Sequence, residues 1–114
     1  MRYELTGSRV YGPHSEDSDL DIIMFREDHE ELEEWLGTMG IAIIRTELQA
    51  KEEYSGYYFY MGSIKVNIIH VEDEVGMDAW AYATTMMKKI VPIEDHELRV
   101  AAFAGFRDAF YKKG

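Results

Sequence analysis

The chain has no cysteine among its 114 residues. That absence excludes disulfides, zinc–thiolate centres and thiol nucleophiles, and it predicts a cytoplasmic setting. Basic residues are scarce as well. Twelve Lys and Arg stand against 22 Asp and Glu, for a formal net charge of −10. A surface of that sign repels the phosphate backbone, so general electrostatic binding of nucleic acid is not expected. A polynucleotide substrate would need a local basic patch or a bound cation, and the acidity by itself describes only a soluble surface. No apolar run approaches the roughly 20 residues of a membrane span, and Met1-Arg2-Tyr3-Glu4 lacks a signal-peptide core. No membrane partner is therefore expected. With two prolines in all, the chain also has no Pro/Gly/Ser-rich linker, and no internal repeat or low-complexity tract.

What is present suffices for a core. Hydrophobic residues make up 46% and aromatic residues 13%, which predicts one compact domain over residues 1–114. Apolar alternation over 2–6 predicts a strand. Residues 7–18 are polar, with Gly7, Gly12 and Pro13, and predict a loop with one helical turn after Gly7-Ser8. Residues 19–25 predict a buried strand. Over 27–39, Leu32, Trp35 and Leu36 share one face and the acids take the rest, so an amphipathic helix is expected, capped by Gly40. A strand over 41–46 and a polar excursion over 47–55 follow. Strands 57–61 and 64–71 form a hairpin across Gly62-Ser63. Two helices end the chain. Met77, Trp80, Ala81, Thr84 and Met87 define the buried stripe of 74–89, and Leu98, Ala102, Phe106 and Phe110 that of 94–112. The order predicts an α/β or α+β fold with helices packed on a mixed sheet.

The informative constellation is Gly7-Ser8, ten residues, then Asp19-Leu20-Asp21. Positions i and i+2 of a strand share a face, so Asp19 and Asp21 project together while Leu20 and Ile22 turn away. Two adjacent carboxylates repel and desolvate poorly unless a cation lies between them. Magnesium (or manganese) suits such a pair, because it takes one or two carboxylates together with phosphate oxygens. Gly7-Ser8 offers the complement: close backbone approach, exposed amides and a hydroxyl donor for phosphate. Arg9 adds a cationic fork.

The segment GSRVYGPHSEDSDLDIIMF resembles the signature of the DNA polymerase β-type nucleotidyltransferase superfamily, closest in layout to its minimal, stand-alone members. The resemblance covers residues 7–25. It implies a nucleotidyltransferase-like sheet and phosphate contacts by Gly7 and Ser8. It also implies divalent-metal binding by Asp19 and Asp21, and transfer of NMP from an NTP to a hydroxyl of a protein, RNA or small molecule. The run from Val66 to Asp73, followed by Ala79-Trp80 and Ala83-Thr84, is similar to small phage-encoded nucleotidyltransferase-like proteins.

One position departs from that pattern. The resemblance implies a third carboxylate on a later central strand, and the matching slot in Ile64-Lys65-Val66-Asn67-Ile68-Ile69-His70 is Asn67. An amide accepts no proton and binds a hard cation more weakly than a carboxylate. Three outcomes stay open: turnover with one held metal and no carboxylate base, substitution by Glu72 or Asp73, or a degenerate site that binds nucleotide without turnover. Lys65 shares the Asn67 face and is a candidate partner for the triphosphate or the carboxylates. His14 reads as a surface histidine, and His70 falls on the opposite face from Asn67. Tyr54, Tyr57, Tyr58 and Tyr60 read as sheet packing. The basic end at Lys112-Lys113 complements a helix dipole. A chain this small buries little of a nucleotide, which leaves room for a second copy or partner chain, with the final helix as the contact.

Overall fold

The strand from Leu20 to Phe25, apolar except for Asp21, is the one around which the other elements are arranged. In the computed structural model, which describes residues 1–13, 16–45, 56–90 and 93–113, the strands are β1 (Tyr3–Thr6), β2 (Leu20–Phe25), β3 (Ile44–Arg45), β4 (Tyr57–Met61) and β5 (Ile64–Val71). The helices are α1 (Ser8–Tyr11), α2 (His29–Gly37, entered by a 3-10 turn at Arg26–Asp28), α3 (Glu74–Lys89) and α4 (His96–Lys113). The sheet order is β1-β2-β5-β4-β3. β2 and β5 run parallel, and the other neighbours are antiparallel. This is an α+β fold, a mixed sheet with helices on both faces.

Central strands covered on both faces read as near-continuous apolar runs, and β2 does from Ile22 to Phe25. Alternate residues feed two cores. Ile23, with Ile69 and Val71 of β5, packs against Met77, Trp80 and Met87 of α3 and Phe103 of α4. Ile22 and Met24, with Val66, Ile68 and Phe59, pack against Leu32 and Leu36 of α2. Ile23 is 0% exposed, and burying such a side chain contributes about 1.5–3 kcal/mol.

Local chemistry sets the ends of the elements. Asp73 caps α3 by accepting from the Gly76 N–H at 2.9 Å. The β4–β5 turn has positive φ at Gly62 and not at Ser63, as a two-residue type II′ hairpin turn requires. At the end of α2, Gly40 adopts φ 74°, its N–H reaches the Gly37 carbonyl at 3.1 Å, and the Ile41 N–H reaches the Leu36 carbonyl at 3.0 Å. That pair of bonds is a Schellman cap.

The cap explains why the strand expected over 41–46 does not begin at Ile41 and starts at Ile44. Ile41 belongs to the helix terminus and, with Ile43, packs onto the α2 core. Thr46, residues 47–55 with Tyr54, and His14 lie outside the described residues. Two helix faces also differ from expectation. Trp35 shares a face with Leu32 and Leu36 but lies outside their buried cluster and is 55% exposed. On α4, Leu98 is 62% exposed, and Phe103 is the buried anchor. With about 3.6 residues per turn, a strict four-residue repeat drifts around the helix by roughly 40° per step, so Leu98 and Phe110 cannot share a face. No helix among the described residues is long and apolar enough to cross a membrane.

Candidate active site

The site forms where β1 ends, β2 begins and the middle of β5 passes. Thr6 and Asn67 are the cross-strand partners of Asp21 on its two sides. The end of β1 is tied to α3. Thr84 Oγ1 donates to the Trp80 carbonyl at 2.8 Å, so in the buried 2.6 Å contact between the hydroxyls Thr6 is the donor. This bond holds the backbone one residue before Gly7.

Gly7 is buried, with φ 86° and ψ −175°, a region that is essentially glycine-only. A Cβ there would collide with the Asp21 carboxylate at Oδ2. Two demands therefore select glycine: the backbone angle and the closeness of the chain to the acid. α1 starts at the next residue, and the Val10 N–H returns to the Gly7 carbonyl at 2.9 Å. Arg9 is turned to the loop that delivers the acids. Its Nε donates to the Ser18 carbonyl at 2.6 Å and its Nη2 to the Glu16 carbonyl at 2.7 Å.

Asp19, just before β2, and Asp21, within it, converge as the i, i+2 spacing implies. The single amide nitrogen of Asn67 donates to both, at 3.0 Å to Asp19 Oδ2 and 3.1 Å to Asp21 Oδ1. Asn67 thus lies in the slot expected for a third acid and offers a donor where a carboxylate would add a third negative charge. Burial raises the pKa of Asp21, the Asn67 hydrogen bond partly offsets this, and the charge of Asp19 raises it further. The pair is therefore short of positive charge. Hard oxygen donors in that condition suit a divalent cation, and Asp19 and Asp21 are the residues that could hold one. Among the described residues, no group of three or more His, Asp or Glu side chains could hold a metal.

Neither substitute acid reaches the site. Glu72 lies five residues beyond Asn67, about 16 Å along the strand, and pairs with Arg26 Nε at 2.6 Å. Asp73 is the α3 cap. His70 faces the other side of the sheet, where its Nε2 lies 3.0 Å from His29 Nδ1 and its ring packs near Tyr57. Lys65 is on the Asn67 side, with its ammonium 4.5 Å from the Tyr58 ring centroid, a cation–π contact.

A cavity of about 130 Å³ opens beside the acids, walled by Gly7, Ser8 and Asp21 on one side and by His96 and Arg99 of α4 on the other. Arg99 is braced by its bond to the Ile93 carbonyl at 3.1 Å and its contact with His96 Nδ1 at 3.3 Å. No local sequence signal marks His96 and Arg99 as part of this wall. The residues sit more than seventy positions from Asp21, and nothing in local periodicity joins them.

No protein-family description matches the chain, and no curated protein does. A solved structure, ANT(2″)-Ia in complex with adenylyl-2″-tobramycin, is similar at a TM-score of 0.49 and 12% identity, over 97% of this chain and 87% of that one.

Proposed function

We propose that this protein binds a magnesium– or manganese–NTP complex at the Asp19/Asp21 pair and transfers the NMP to a hydroxyl of a protein, RNA or small molecule. The observation that carries this is the convergence of both carboxylates on one Asn67 amide beside Gly7-Ser8. When bound, the cation supplies charge neutralisation at the α-phosphate and the leaving pyrophosphate. Gly7 brings backbone close to the phosphates, and Ser8 Oγ donates to a phosphate oxygen. Arg99 faces the same cavity as a fixed positive charge. The acceptor oxygen bonds to the α-phosphorus, the bond from that phosphorus to the β-phosphate bridging oxygen breaks, and pyrophosphate departs. Asn67 accepts no proton, so the hydroxyl proton passes to solvent.

A second reading has its own observation. With Asn67 in the third acid's slot, the domain keeps the half-site and binds nucleotide without turnover. Incubation with each labelled NTP, magnesium or manganese and host lysate, beside Asp19→Ala/Asp21→Ala, separates the two. Label transfer lost in the variant supports the enzyme. Metal-dependent NTP binding by calorimetry without transfer supports the binding module. If neither transfer nor metal-dependent NTP binding is observed, the half-site assignment itself fails.

A further inference from the structure

Behind the acid pair, on the opposite face of the sheet, α2 covers only part of the apolar surface. The remainder is a groove of about 600 Å³ between α2 and the first residues of β2 and β5, running out over β1. Tyr3, Leu5, Trp35 and Met61 line it, each between 46% and 58% exposed. Its floor includes Leu20, Ile22 and Val66. Half-exposed large apolar side chains gathered in one concave patch mark a contact surface rather than ordinary scatter.

We propose that this groove receives a basic amphipathic helix from a partner protein. The groove lies on the sheet's face beside α2 and not along its edge, so the element that completes the layer is a helix. It would lie next to α2, and about three turns would cover the strip. The charge of the occupant follows from the rim. The charged side chains among the described lining are Glu31 and Glu34, both on α2. Lysines or arginines flanking an apolar stripe would meet these acids. A second copy of the chain fits poorly. A two-fold interface sets the same patch against itself, acid rim facing acid rim, on chains that each carry −10. This inference is independent of the proposed transfer activity.

The test uses the full chain and two labelled 16-residue helical peptides with leucines at i, i+3, i+4 and i+7. One has lysine flanks, the other glutamate flanks. Fluorescence anisotropy should show saturable binding of the basic peptide, at least tenfold tighter than the acidic one. Acrylamide quenching of Trp35 should fall on binding, while buried Trp80 stays unquenched throughout. Leu5→Lys should weaken binding at least tenfold, and Val75→Lys on α3 should leave it unchanged. Glu31→Lys/Glu34→Lys should reverse the preference towards the acidic peptide. Asp19→Ala/Asp21→Ala should bind as wild type, so failure of the nucleotide site and failure of the groove are distinguishable. Equal binding of both peptides, indifference to Leu5→Lys, or shielding of Trp35 that rises with protein concentration alone would overturn the proposal, the last in favour of a second copy.

Discussion

Asn67 stands directly across the parallel β2–β5 pair from Asp21 and donates its amide proton to Asp21 Oδ1 at 3.1 Å. The same nitrogen reaches Asp19 at 3.0 Å. One neutral side chain therefore eases the repulsion of two acids that would otherwise depend on a cation.

Replacing Asn67 by aspartate removes both donated bonds and adds a third carboxylate. In chelator at pH 7 the variant should lose about 2 kcal/mol, the scale of hydrogen bonds to charged groups. That corresponds to a fall in Tm of roughly 10 °C. Magnesium or manganese should restore most of the loss and raise any weak transferase rate. Thermal scans with and without metal check this, and a variant indifferent to metal would place Asn67 outside the ligand position.

Asp21 should lower stability at neutral pH. Its pKa is raised by burial, so the folded chain holds that proton more readily than the unfolded chain. The favourable contribution is present in acid and is lost as pH rises through the folded pKa. Asp21→Asn keeps an oxygen to accept from Asn67 and carries no charge. It should raise the Tm at pH 7 while abolishing metal-dependent nucleotide binding. A lower Tm with intact binding would contradict both assignments.

Gly7→Ala places a Cβ against the Asp21 carboxylate and forces alanine to φ 86°. A cost of at least about 1–3 kcal/mol is expected from the backbone alone, with loss of NTP binding in calorimetry. Gly37→Ala is the contrast, because nothing lies within 4 Å of its added Cβ. It should be neutral or slightly stabilising.

His70 has its pKa lowered to about 4 by burial first, then by His29 and Arg26, with Glu72 acting in the opposite sense. A depressed histidine favours the neutral folded form. Its contribution is complete above the unfolded value near 6.5 and is lost as pH falls towards 4. An NMR titration should place the His70 midpoint near 4, and His70→Phe should flatten the fall of Tm between pH 6.5 and 4 relative to wild type. A midpoint near 6.5 would show that the His29–His70–Tyr57 cluster is open to water.

Much of the architecture was legible locally. The hairpin across Gly62-Ser63 and the span of α3 depend on alternation, helical spacing and a cap, all encoded within a few residues of where they act. Trp35 and Leu98 are more exposed than their spacing suggests, because periodicity says only which residues share a face. It does not say how far a neighbouring element extends to cover them. Strand β3 starts later than alternation suggests because the Schellman cap claims Ile41 before the sheet does.

The sequence by itself determined the acid pair's shared direction, the glycine before the serine and Asn67 as the polar position of its strand, since these follow from strand period and backbone allowance. Only the tertiary structure decided that one amide bridges both acids, that Arg99 and His96 close the cavity from the last helix, and that an apolar groove with an acidic rim lies behind the site. Asn67 lies 46 positions from Asp21, Arg99 and His96 come from the far end of the chain, and chain packing, not local periodicity, brings them together.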